Sequence, residues 1–501
     1  MCQTLSVLEI FIAMMVVTMP AAGEIQFDQQ VMSVDGRVIW AEGADINGDG
    51  AADIVVVFRR GIEPATQRFV AVFYQQSNGK YHGTADEERV ISEDTSFATV
   101  ADINNDNKAE IVLVNAQGVS AYTFQQGKLS LQPEVLIQTE TAAVFAEAED
   151  LPEWQFVADW HKSGHTEIAV WQVGALQFYR MNKAGKFERF ETLHIRPATW
   201  TDSDHARVFQ AAFSNRNLSI ALGYAFPELV VGDYDGSGHA DLFVLEEDRV
   251  QIFGHKNGGH FSETPTVVLD FRIRTQEERH RKNSYIKSLV ADLNGDGRSD
   301  YINNKITGGL ASMSSETHVH LNQGGFRKAP DQIIKRDGFS GVIQLSDIEG
   351  DGRPELIEPF AEIGLITLAR AMISKKLTVD WLVTPNHDGK FDVRGSHKLA
   401  IVFALDFSGG APFKGFYPSA KYDFDGDGIP DFITSPEGKT LEVFLGSKKG
   451  LFSDEPSVQI GAELSPYTAI FVDQRTQKPN LLTYFRDIVG KEGRIVVLQH
   501  R

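Results

Sequence analysis

The sequence predicts an all-β fold, a closed β-propeller, on three observations. A short acidic segment recurs along the chain, a β-branched apolar stretch follows each copy, and the text between copies is punctuated by turns without sustained helical period. Each repeat then supplies one small sheet, and a ring of such sheets buries what a single sheet cannot.

The acidic segment reads "ADINGDGAADIVVV" from Ala44, "ADINNDNKAEIVLV" from Ala101, "ADWHKSGHTEIAVW" from Ala158 and "GDYDGSGHADLFVL" from Gly232. It continues as "ADLNGDGRSDYINN" from Ala291, "SDIEGDGRPELIEP" from Ser346 and "YDFDGDGIPDFITS" from Tyr422. An eighth copy, "VDQRTQKPNLLTYF" from Val472, has lost nearly every polar feature. Their first aspartates are Asp45, Asp102, Asp159, Asp233, Asp292, Asp347, Asp423 and Asp473, spaced 50 to 76 residues apart and mostly near 57.

Within a repeat, the strand after the loop ("DIVVVF") is followed by a second ("FVAVFYQQ", "LEVFLG") and then by a glycine turn such as "NGKY", "QGKL", "GGHF" or "DGKF". A further strand leads to the next loop. Three or four strands in ~60 residues fits a propeller blade better than a solenoid coil. The last repeat ends at "GRIVVLQHR" without a strand after its turn, while "GEIQFDQQVMSV" near the N-terminus matches that missing piece in "GKLSLQPEVLI" and "GLFSDEPSVQI". The N-terminal strand is therefore expected to complete the last blade and remove the open sheet edges. Eight blades follow from the eight loops; seven, with the eroded copy as a partial blade, is the alternative.

Ahead of the ring, an apolar run from Leu5 to Met19 and the small residues of Pro20-Ala21-Ala22-Gly23 resemble a secretory signal, giving a leader over 1–23 and a propeller over 24–501. The single cysteine, Cys2, lies in that leader, so disulfide, zinc-thiolate and cysteine-nucleophile chemistry are not expected of the mature chain. No other run reaches the ~18 apolar residues of a membrane span. A formal charge of −20 excludes nucleic acid and anionic membranes as natural partners and suits a protein that collects cations. The expected location is secreted or periplasmic.

The chemistry lies in the loops. Counting from the first Asp, oxygen-bearing side chains fall at positions 1, 3, 5 and 9, with Gly usually at 6. Alternating side chains on a tight turn can converge on one point while position 7 adds a carbonyl, which describes a Ca²⁺ site. An EF-hand would need Glu at position 12 and flanking helices, but position 12 is Val56, Val244, Asn303 or Thr434 and strands follow.

The repeated D-x-[DN]-x-D-G-x-x-D-[LIF] pattern resembles the FG-GAP/VCBS repeats, the calcium-loop blades of integrin α-subunit propellers and of many exported bacterial proteins. Carried over residue by residue, the resemblance implies metal ligands at Asp45, Asn47, Asp49 and Asp53; at Asp102, Asn104, Asp106 and Glu110; and at Asp233, Asp235, Ser237 and Asp241. It implies further sets at Asp292, Asn294, Asp296 and Asp300; at Asp347, Glu349, Asp351 and Glu355; and at Asp423, Asp425, Asp427 and Asp431. Five or six Ca²⁺ sites are expected. The Asp159 loop keeps only two carboxylates and the Asp473 loop is expected to be empty.

Two insertions break the repeat, near 194–225 and 360–420. The first carries Trp200, Asp202, Asp204 and His205; the second carries an amphipathic stretch from Glu362 to Lys376 and the aromatics Phe407, Phe413, Phe416 and Tyr417, a candidate binding edge. The stretch "FRIRTQEERHRKNSYIK" reads as a solvated, salt-bridged excursion, and His318 and His320 of "THVHL" as packing or surface residues rather than a metal site. No nucleophile elbow or H-E-x-x-H motif occurs. The expected function is a noncatalytic module that binds an extracytoplasmic protein or glycan. A polysaccharide-processing enzyme on the same scaffold and a structural component of an envelope complex are the alternatives.

Overall fold

The computed structural model describes residues 25–62, 65–143, 151–195, 198–202, 221–281, 284–308, 313–362, 365–405, 414–486, 488 and 490–501. These residues form an eight-bladed β-propeller. Blade 1 is a four-stranded antiparallel meander of Arg37–Ala44, Asp53–Arg60, Gln67–Phe73 and Glu87–Ile91. Blades 2 to 5 and blade 7 repeat that order, and blade 6 differs only in an inner strand split into Phe339–Ser340 and Gln344–Ser346. Blade 8 takes three strands from the C-terminal end, Thr468–Val472, Pro479–Tyr484 and Arg494–His500, and its outermost from Phe27–Ser33. That strand pairs residue for residue from Phe27 with His500 to Ser33 with Arg494.

The second strand of each blade explains the continuous apolar runs. Successive side chains on a strand face opposite ways, so a strand clamped between two neighbouring blades must be apolar on both faces. In blade 1, Ile54, Val56 and Phe58 pack toward blade 8 with Leu482 and Val497, while Val55 and Val57 pack toward blade 2 with Ile111 and Leu113. The same division repeats around the circle, one apolar cluster per seam. The core therefore lies between sheets, and the 8–1 seam closes it.

The glycine turns join third to fourth strands, several as short hairpins: Phe124–Gln125 with Lys128–Leu129, His255–Lys256 with His260–Phe261, and Asn386–His387 with Lys390–Phe391. The first insertion contributes a hairpin of Ala198–Asp202 with Ala221–Ala225, and the second a helix at Leu365–Ser374, inside the expected span. Asp204, His205, Phe407 and Phe413 lie outside the described residues. The basic excursion holds a short helix, Gln276–Arg281, tied back by Glu278 to Lys305 at 3.2 Å.

Candidate functional site

Each acidic loop connects the first strand of a blade to its second, so the loops lie at the same end of the ring. Their shape is set by the first aspartate, whose carboxylate collects the amides of the turn. Asp45 accepts from Gly48 and Asp49 on Oδ1 at 2.7 and 3.2 Å and from Gly50 on Oδ2 at 2.7 Å. Asp233, Asp292 and Asp347 accept from positions 4, 5 and 6 in the same way, and Asp102, Asp159 and Asp423 from two or three loop amides. The wrap needs left-handed backbone at position 4 as well as 6: Gly48 and Gly50 have φ of 80° and 83°, and Asn105 and Asn107 take 60° and 63°. The glycine at position 4 was visible in five copies and carries as much of the geometry as the one at position 6.

Positions 3 and 5 make smaller turns of the same kind. Asn47, Asn104, Asp235, Asn294 and Asp425 accept from the position 5 amide, and Asp49, Asp106, Ser237, Asp296, Asp351 and Asp427 from the position 7 amide. Glu349 makes no such bond and lies against Gly450 of the next blade.

The position 9 carboxylate is buried in all six loops at Asp53, Glu110, Asp241, Asp300, Glu355 and Asp431. It joins two separated parts of the blade. Asp300 accepts from Leu293 in its own loop at 2.9 Å and from Asn322, beyond the third strand, at 2.7 Å; Asp53, Asp241 and Asp431 do the same with Ile46 and Gln75, Tyr234 and His255, and Phe424 and Gly446. Burial, reinforced by neighbouring loop carboxylates, pushes the pKa of Asp53, Glu110, Glu355 and Asp431 up to about 7 and that of Asp300 to about 6. The loops thus concentrate negative charge that the backbone amides only partly balance.

The carboxylates gather most closely in two loops. Oxygens of Asp233, Asp235 and Asp241 lie within 4.8 Å of one another, as do those of Asp423, Asp425 and Asp431. Positions 1, 3 and 9 converge there; Asp427 at position 5 stays outside its trio, with Oδ1 on the Ile429 amide at 2.8 Å. Where position 3 is Asn47, Asn104 or Asn294, the gathered carboxylates are one fewer by composition.

Sequence reading missed the links between blades. Asn322 donates through Nδ2 to the Tyr234 carbonyl of the preceding loop at 2.6 Å and to Ser299 of its own loop at 3.2 Å. Asn386 repeats this one blade on, to Leu293 at 2.8 Å and Pro354 at 3.0 Å. Their signal was an Asn followed by a glycine turn, "NQGG" and "NHDG".

The fold and its loops define a β-propeller most of whose blades carry an acidic turn between their first and second strands. A family model described as FG-GAP-like repeat matches residues 45–113 and 233–303, each match running from the first aspartate of one loop past the next, and the eight-bladed fold is consistent with a propeller built of such repeats. No curated protein matches the chain. Among solved structures, an Agrocybe aegerita lectin described as recognising non-reducing terminal N-acetylglucosamine is 19% identical, over 86% of this chain and 93% of that one, with a TM-score of 0.44. Sqt1 from Chaetomium thermophilum aligns over 94% of this chain and 100% of that one at 8% identity and a TM-score of 0.46, and the Dos1 propeller over 95% of both at 7% and 0.42. Likenesses this distant carry no argument about ligand or role.

Proposed function

We propose that the protein is an exported, calcium-stabilised propeller that binds a protein or a glycan without catalysis. The calcium part is carried by the two carboxylate trios, Asp233 with Asp235 and Asp241 and Asp423 with Asp425 and Asp431. A hard cation that takes about six to eight oxygens suits such a set, completed by the position 7 carbonyl and water, whereas Mg²⁺ favours a smaller octahedron. The Asn47, Asn104 and Asn294 loops and the Glu349 loop would hold further ions with fewer or longer carboxylate arms. Bound calcium would offset the charge that burial makes costly and fasten each loop to the strand behind it.

The binding part is supported by a cavity of about 890 Å³ along the inner strands of blades 4 to 8. Its lining combines a charged pair, Lys287 with Glu228 at 2.7 Å, with Lys421, Tyr417 and Tyr422, side chains able to hydrogen-bond and stack. Tyr417, one of the aromatics expected at a binding edge, stands half exposed there with its hydroxyl on the Val342 carbonyl at 2.9 Å. Export is supported by the apolar run from Leu5 to Met19 and the small residues that follow it.

Chelation tests the first part. Each site filled at 100 times its Kd stabilises the fold by about 2.7 kcal/mol, so EDTA should lower the melting temperature markedly and calcium should restore it. An unchanged melt would defeat the calcium reading. A glycan array and a pull-down from envelope extract, each with and without EDTA, test the second part; release of reducing ends from a bound glycan would instead show an enzyme.

A further inference from the structure

The third loop departs from the six acidic loops at position 3, where His161 replaces Asn, Asp or Glu. The His161 side chain is fully buried. Its Nδ1 lies 2.6 Å from Glu167 Oε2 and its Nε2 2.8 Å from Glu191 Oε2. Glu167 begins the second strand of blade 3, Glu167–Gln172, and Glu191 lies on the fourth, Phe187–Leu193. The ring stacks on Phe261 of blade 4 with centroids 4.1 Å apart, and meets Phe178 and Phe190 edge-on at 5.3 and 5.1 Å.

An ionised carboxylate only accepts hydrogen bonds, and a neutral imidazole has one N–H to give. Carboxylate oxygens at hydrogen-bond distance on both sides of one ring therefore call for hydrogen on both nitrogens. The surrounding charges agree. Arg180, from the third strand, pairs with Glu167 through Nε at 3.0 Å and lies over the Phe190 ring at 3.8 Å. From the loop itself, Asp159 is engaged by the amides of Ser163 and Gly164. From blade 4, His260 stands 3.5 Å from Glu191, whose Oε2 also accepts the Phe261 amide at 3.2 Å. With an imidazolium, two cations meet two carboxylates; with a neutral ring, a buried negative charge is left uncompensated, which is costly.

We propose that blade 3 carries its own cation: the His161 imidazolium, clamped between Glu167 and Glu191, fastens this blade and its seam with blade 4 as a divalent ion would fasten a fully acidic loop. The seam then answers to protons and not to metal, whether or not the other loops bind calcium. Burial alone pulls the His161 pKa down, but the hydrogen bonds that the ring donates to Glu167 and Glu191, with the charges of those carboxylates, outweigh it and hold the pKa above its ordinary 6.5. For a histidine raised in this way, the stabilisation is complete below about 6.5 and is lost as pH rises through the folded value.

The direct test follows the imidazole Cε1–H resonances of the full chain, with His161 assigned by its loss in His161→Gln. The expected midpoint lies above 6.5 in the wild type and falls in Glu191→Gln. In excess calcium, raising the pH from 6 to 9 should shift the wild-type melting temperature by about 2 °C downward relative to that of either variant. If His161→Gln does not fold, Glu191→Gln keeps the ring and serves both for assignment, through the resonance that moves, and for the melts. A midpoint at or below 6.5, or parallel pH curves for wild type and variant, would overturn the proposal.

Discussion

Asp431 and Asp425 share one loop and have opposite surroundings. Asp431 is buried with both oxygens on backbone amides, 2.7 Å from Phe424 N and 2.9 Å from Gly446 N, whereas Asp425 is half-buried and its Oδ1 accepts only the Asp427 amide. Asp431→Asn would set an amide NH₂ against one of two backbone donors, so it should cost about 1–3 kcal/mol even without metal. Asp425→Asn should leave the metal-free protein within about 0.5 kcal/mol of wild type and lessen only the gain from calcium; urea unfolding with EDTA and with calcium separates the two. The position 9 group also sets a pH dependence. Folded pKa values of about 7 for Asp53, Glu110, Glu355 and Asp431 stand well above those of unfolded carboxylates, so the folded state retains protons that the unfolded state has released. Ionising them costs stability as pH rises through 7, and metal-free protein should melt higher at pH 5.5 than at pH 8. Calcium should reverse that order by raising the melt most at pH 8.

At the scale of the element, a blade is held to its neighbour by apolar packing and by a few side chains that reach across. Asn322 and Asn386 each hold two carbonyls on different segments. Asn322→Ala leaves the Tyr234 and Ser299 carbonyls unmet and should cost about 1–3 kcal/mol by urea unfolding, with Asn386→Ala a second instance of the same loss. These elements also mark how far the sequence could be read. Loop, strand and turn were visible because each is local: an aspartate collects amides three to five residues on, and "DIVVVF" declares burial on both faces. The number of blades and the origin of the eighth blade's outer strand were visible because repetition exposes what is missing. The partners of Asn322, and of His161 on Glu191, lay beyond reading, since segments 88 and 30 residues away meet only once the ring exists. The gathering of positions 1, 3 and 9 without position 5 depends on which oxygen the turn amides already occupy, which spacing does not encode.

At the scale of the molecule, eight seams of similar make are closed by one strand from the other end of the chain. Removing residues 25–33 exposes Arg494–His500 as an open edge and takes Met32 from the 8–1 seam, so the truncated protein should associate in light scattering after size exclusion where the full chain does not. The closing strand also orders events in time. Asp28 and Arg501, 473 positions apart, are ion-paired, whereas every other blade is assembled from contiguous chain. Seven sheets can form as their segments emerge from the ribosome, but Phe27–Ser33 lacks its sheet partner, Arg494–His500, until the final strand is made. A nascent chain therefore holds its earliest strand without a ladder partner to the end, and closing that latch is the most nonlocal pairing in its folding.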